Sequence, residues 1–206
     1  QKALLPPSDA PPLLCVASAD AATDSDPPGL AGWCQGLYWY IPLQHEWMTW
    51  LHIGVLELLA TGFNAIIMAP YIGNNQLVLQ SDALVTVYAV LRQKEKSPLL
   101  RVAHHELLAN AAFNQAVDDA LILHLSGHCN YCSDAASRSE WRNLHDLANV
   151  LGVRPTRLPV PAELILILHR VLEAAKSMGV VVRSGSYFKR DPHLPPQLLT
   201  LRSQSA

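Results

Sequence analysis

The chain has 206 residues, half of them apolar and only 16% charged, with a net charge of -2 and an isoelectric point near 6.5. That length accommodates one full domain plus an extension, and the high apolar content excludes a disordered chain. The charge balance excludes the broad basic surface of a dedicated nucleic-acid binder, so such binding would have to come from a local patch or a partner domain.

Residues 1–12, with Pro6, Pro7, Pro11 and Pro12, read as an extended linker. Leu13 to Val16, running on to Asp20, form a short apolar run that ends in a carboxylate, as a buried strand does. Thr23 to Gly29 is dense in turn formers. Leu30–Gln35 and Leu37–Ile41 read as two strands punctuated by Gly36, which makes an antiparallel meander of three. Helical spacing then takes over: Ile53, Leu56, Ala60, Phe63 and Ile67 recur three or four apart, with Pro70 and Gly73 as stops. Gln76 to Asp82 is a fourth strand, again closed by a carboxylate. Residues 83–92 and 97–116 read as helices, residues 120–125 as a fifth strand, and Asp134 to Val150 as a helix. The expected fold class is therefore α/β, a mixed five-stranded sheet flanked by helices, over residues 13–150.

Residues 151–206 read as a C-terminal extension, one helix plus a loop or arm. Glu163 to Met178 is apolar on more than one face, so this helix has to pack on the core or on another chain. Val180 to Val182 is the expected extra edge strand. No run of about 18 apolar residues occurs, so no membrane association is expected. Without a basic-then-apolar leader, Cys15, Cys34, Cys129 and Cys132 read as reduced thiols of an intracellular protein, cytoplasmic or nuclear. The start at Gln1 reads as a piece of a longer chain.

Asp20 and Asp82 each end an apolar strand, where open α/β sheets place their ligand sites. Glu57 lies inside the apolar helix and needs a partner there. Asp134 opens a helix. Taken singly, Asp20 and Asp82 read more readily as turn or cap residues, Glu57 as the edge of a solvated helix face and Asp134 as a helix N-terminal carboxylate. Together they would repel one another unless cations lay between them, and an all-oxygen site suits magnesium or manganese. Asp24 and Asp26, in the turn after Asp20, are rival first ligands; Asp20 is preferred because it directly ends the apolar run.

The order Asp20, Glu57, Asp82, Asp134 on strand, helix, strand and helix resembles the ribonuclease H domain of retroelement polyproteins, DIRS-like reverse transcriptases in particular. His52-Ile53-Gly54-Val55-Leu56-Glu57-Leu58-Leu59-Ala60 is similar to their "HINxLELLA" helix, and Leu77 to Asp82 to their "hhhxTD" strand. His124-Leu125-Ser126-Gly127, with Asn130 and Asp134-Ala135-Ala136-Ser137-Arg138, is similar to their "HIPG…N…ADALSR" ending, and Trp33 to their "GWG" strand. The resemblance covers about residues 13–145 and implies two Mg2+ or Mn2+ ions held by the four carboxylates. It implies cleavage of the RNA strand of an RNA–DNA hybrid during reverse transcription, and a polymerase domain upstream in the same polyprotein. The chain departs from the pattern at Ala21 and Ala83, where relatives carry Ser or Asn.

The resemblance also places His128 where cellular ribonucleases H carry a mobile histidine, an expected aid to proton transfer or product release; a solvated loop histidine is the rival reading. Arg92, Lys94, Lys96 and Arg101 are the expected nucleic-acid contacts, with a solvated helix junction as the alternative. Trp33, Tyr38, Trp39 and Tyr40 read first as sheet packing and second as stacking surfaces. Cys129 and Cys132 have zinc-ligand spacing but lack a second pair. Two further functions remain open on the same residues: a degenerate or domesticated module that keeps the fold for nucleic-acid binding or assembly, and another nuclease or integrase of the superfold. The sequence assigns no oligomeric state.

Overall fold

A computed structural model describes residues 13–73, 75–83, 86–87, 90, 97–118, 120–126, 129–180 and 182. The elements in chain order are β1 (Leu14–Ala22), β2 (Gly29–Cys34), β3 (Leu37–Pro42), a 3-10 turn (His45–Thr49), α1 (Ile53–Ile72) and β4 (Gln76–Ser81). They continue as α2 (Pro98–Leu108), α3 (Ala111–Asp118), β5 (Leu121–His124), α4 (Tyr131–Ser137), α5 (Trp141–Val150), β6 (Thr156–Arg157) and α6 (Ala162–Ser177).

The chain is an α/β protein built on one mixed sheet, ordered β5-β4-β1-β2-β3-β6. β1, β2 and β3 form the expected antiparallel meander. Its two-residue hairpin needs positive φ at both loop positions, which Gln35 (49°) and Gly36 (94°) supply. β4 lies parallel to β1, and β5 parallel to β4, so both are reached by helical crossovers. The sheet has six strands rather than the five expected. The sixth is β6, whose Thr156 and Arg157 run parallel to Leu37 and Tyr38. Thr156 N donates to Gly36 O at 2.8 Å and Leu158 N to Tyr38 O at 2.7 Å, which satisfies backbone groups that the edge of β3 would otherwise leave open. A two-residue strand carries no periodicity, so the sequence offered no sign of it. Val180 and Val182, expected as the added strand, lie outside any strand; Val182 N instead donates to Thr49 O.

Two expected helices are each divided. The helix read over 97–116 breaks at Asn110, whose Oδ1 accepts from the backbone N–H of Ala112 and Phe113 and so starts α3 afresh. The helix read over 134–150 breaks into α4 and α5 at Ser139, which has a φ of 61°. In the other direction, α1 runs past its expected stop to Ile72 and carries Pro70 within its last turn. Of the helix expected over 83–92, most positions fall outside the described residues.

Helices cover both faces of the sheet. On one face, α1 packs over the middle of the sheet, with α2, α3 and α6 around it, in one core that includes Leu30, Trp39, Leu56, Leu59, Phe63 and Leu107. α1 is long and apolar enough to cross a bilayer, but here every residue from Gly54 to Met68 is buried within the fold. α6 joins the same core through Leu164, Ile167, Leu168, Val171, Leu172 and Ala175, as its apolar breadth requires, and Arg170 pairs with Glu106 of α2 at 2.6 Å. On the other face, α4 and α5 close a smaller core of Ala31, Trp33, Tyr40, Cys132, Ala135, Ala136, Leu144 and Ala148. Trp33, Trp39 and Tyr40 are thus packing residues, while Tyr38 is half-buried against Trp141 at a ring distance of 5.9 Å.

A buried polar relay joins the main core to β1. Trp39 Nε1 donates to Asn64 Oδ1 at 2.9 Å, and Asn64 Nδ2 donates to Ser18 O at 3.0 Å. Gly32 sits directly beneath this relay, and a Cβ there would collide with both Asn64 Oδ1 and Trp39 Nε1. Gly32→Ala is therefore expected to destabilise by about 3 kcal/mol or more, because overpacking and a broken buried hydrogen bond coincide. Chemical denaturation checks this; a loss under about 1 kcal/mol would mean that the relay gives way freely.

Candidate metal centre

The strand register brings the first two carboxylates together. Ser18 pairs with Gln80 across the parallel β1–β4 ladder, and Asp20 and Asp82 each lie two residues further along their own strand. Asp20 is still inside β1, whereas Asp82 follows the last residue of β4. Glu57 reaches the same point from the second turn of α1, a helix started by His52, whose Nδ1 accepts from Gly54 N at 3.1 Å. One carboxylate oxygen from each of Asp20, Glu57 and Asp82 lies within 4.8 Å of the other two. Asp20 and Glu57 are buried and Asp82 is half-buried.

Asp20 is the most constrained of the three. Ser137 Oγ of α4 donates to its Oδ2 at 2.6 Å, and Asn130 Nδ2 lies 3.5 Å from its Oδ1 while donating to Ala19 O at 3.1 Å. Asn130 Oδ1 in turn accepts from Ser133 Oγ, which also meets Ser18 Oγ at 2.9 Å. Burial raises the Asp20 pKa from 3.8 to about 6; the nearby charges of Asp82 and Asp134 push the same way, against the Ser137 hydrogen bond and Arg138. On the far side, His124 Nε2 of β5 lies 3.0 Å from the backbone carbonyl of Asp82 and steadies the end of β4.

Asp134 is placed differently. It lies in the first turn of α4, close enough to act on Asp20, yet it is not among the three groups that meet within 4.8 Å. Its Oδ1 accepts from Arg138 Nε at 2.9 Å, and Arg138 Nη1 donates to Asp24 Oδ1 at 2.8 Å. Burial opposes the Arg138 charge, but the bonds and attraction of Asp134 and then Asp24 outweigh it and raise its pKa above the usual arginine value. Asp26, the other rival ligand, is exposed and lies 3.0 Å from His45 Nε2.

Of the other residues singled out from sequence, His128, Arg92, Lys94 and Lys96 lie outside the described residues. Arg101 is exposed near the start of α2. All four cysteines are free thiols, and neither Cys129 nor Cys132 joins a metal-competent cluster among the described residues. Of the residues that hold the site in place, Ser137, Asn130 and Ser133 carried no chemical signal of their own. Asn130 and Ser137 stood only inside the quoted motifs, and His124 read as a structural strand residue with a minor zinc alternative; their roles appear once the strands bring them beside Asp20 and Asp82.

Fold and site together define an α/β protein whose mixed sheet and central helix gather three acidic side chains in a cluster able to hold a metal ion. Comparison with protein-family models, with curated proteins and with solved structures finds no match for this chain.

Proposed function

We propose that the chain is a ribonuclease H-like, metal-dependent endonuclease that cuts the RNA strand of RNA–DNA hybrids, as part of a retroelement reverse transcriptase. The observation that carries this reading is the meeting of Asp20, Glu57 and Asp82 within 4.8 Å. The donor set fits a hard divalent cation: it is all oxygen and partly buried, and burial, with the charges of Asp82 and Asp134 adding to it, raises the Asp20 pKa. Mg2+ or Mn2+ would be held by Asp20, Glu57 and Asp82, and a second ion would draw on Asp134. Divalent cations bound in this way supply activation of water and neutralisation of charge at a phosphodiester.

The chain's own residues do the positioning. Ser137 and Asn130 fix the Asp20 carboxylate, and His124 fixes the backbone at Asp82. The topology, with the first acid in β1, the third just past the end of the adjacent parallel β4 and the second on the core helix, supports the same reading. With a net charge of -2, affinity for the hybrid is assigned to a local patch including Arg92, Lys94, Lys96 and Arg101, or to the upstream polymerase domain. No membrane partner is proposed, and the site of action is the cytoplasm or nucleus.

The test is cleavage of labelled substrates with Mg2+ or Mn2+. The expected result is cleavage of the RNA strand of a hybrid, with single-stranded RNA and duplex DNA left intact and all activity lost in a chelator. Cation binding without any cleavage would replace this reading with the degenerate binding or assembly module. That second reading already draws support from the engagement of Asp134 by Arg138.

A further inference from the structure

The Arg138 guanidinium joins two parts of the chain far apart in sequence, Asp24 after β1 and Asp134 in α4. Asp134 has a fixed backbone: α4 is buried through Cys132, Ser133, Ala135, Ala136 and Ser137, and two of its serines bond into the Asp20 network. The Asp134 side chain is 46% exposed and rests on Arg138, whose Nε donates to its Oδ1 at 2.9 Å. Its carboxylate is close enough to act on Asp20 and still outside the three-acid cluster.

We propose that Arg138 is a positioning residue that withholds Asp134 from the Asp20–Glu57–Asp82 cluster until a divalent cation draws it in. This rests on the cation-site reading above. Two physical arguments support it. Asp134 adds to the repulsion felt at Asp20 while Arg138 acts against it, so an Asp134 held on Arg138 is electrostatically compensated where it stands. The clasp is also weak enough to open. The side chains of Arg138, Asp134 and Asp24 are 31%, 46% and 67% exposed, and solvent-screened pairs of this kind contribute little stability. A divalent cation in the cluster outcompetes such a contact, whereas a deeply buried pair would not yield.

A double-mutant cycle tests the proposal through binding rather than catalysis. Mn2+ affinity is measured by calorimetry on the full chain as wild type, Arg138→Gln, Asp134→Asn and the double variant. Arg138→Gln is expected to tighten Mn2+ at least about fivefold when Asp134 is present and to change it less than about twofold in the Asp134→Asn background. An equal gain in both backgrounds would show that Arg138 acts only as a repelling charge, and would overturn the proposal. No gain in either background would overturn it as well, while leaving the cation site intact. A wild type that binds no Mn2+ would remove the cation-site reading and this inference together. Melting in a chelator checks folding. If Arg138→Gln melts early, Arg138→Lys carries the same cycle with the same expected sign, since it keeps the charge but cannot bridge both carboxylates.

Discussion

Asp82→Asn is expected to lower hybrid cleavage by about a thousandfold or more while hybrid binding stays within about twofold of wild type. A ligand carboxylate stabilises the transition state by several kcal/mol through the cation it holds, and each 1.36 kcal/mol is about tenfold in rate. Asn keeps the shape and one oxygen but removes the charge. Asp82 suits the test because it follows the last residue of β4 and is only half-buried, so an isosteric Asn disturbs the fold less there than at the buried Asp20. Binding of hybrid depends on phosphate contacts elsewhere and is not expected to follow. Single-turnover cleavage with matched binding isotherms is the measurement. Undiminished cleavage in Asp82→Asn would assign the chemistry to other residues.

The second large effect is on stability, and it reverses sign with the cation. Asp20 has its pKa raised by burial to about 6, against 3.8 for the unconstrained group. Below about pH 4 the carboxyl is protonated in both folded and unfolded chains, and its favourable contribution is fully present. As pH rises through about 6, the unfolded chain has released the proton while the folded chain resists, so that contribution is lost. A shift of this size corresponds to about 3 kcal/mol at neutral pH. Asp20→Asn mimics the protonated form, so in a chelator at pH 7.5 it is expected to be up to about 3 kcal/mol more stable than wild type, and nearly equal near pH 4. With Mn2+ added the order inverts, because only the wild type gains from a ligand bound to the folded state alone. Denaturant titrations at the two pH values, with and without Mn2+, decide it. A chelated Asp20→Asn protein less stable than wild type at pH 7.5 would mean that the Ser137 and Asn130 hydrogen bonds hold the ionised carboxylate better than burial opposes it.

Both expectations depend on residues that the sequence alone made visible. Leu14 to Ala22 and Gln76 to Ser81 are strands because apolar runs of that length, stopped by polar residues, have few other ways to bury themselves. α1 is the core helix because its apolar positions repeat at helical spacing. Those periodicities placed an acid at each strand end and one inside the helix, but it was the order Asp20, Glu57, Asp82, Asp134 and its resemblance to ribonuclease H that singled out the four together. The need of Leu164 to Leu172 for cover was legible too, because an apolar helix face has to be buried somewhere.

What the sequence could not decide was distance. Asp20 and Asp82 meet because β1 and β4 pair in parallel with Ser18 opposite Gln80, and register is a property of the assembled sheet. A slip of one residue would have turned one of the carboxylates to the other face. The same holds for β6, which is too short to show a period and exists only because the β3 edge offers it hydrogen bonds. Asp134 illustrates the limit best: its place at the start of a helix follows from the chain, but its side chain is directed by Arg138 and, through it, by Asp24 in a turn 110 residues earlier. Local pattern determined which residues carry charge on which elements; tertiary pairing alone decided which charges meet, because electrostatic contact depends on separation in space and not on order along the chain.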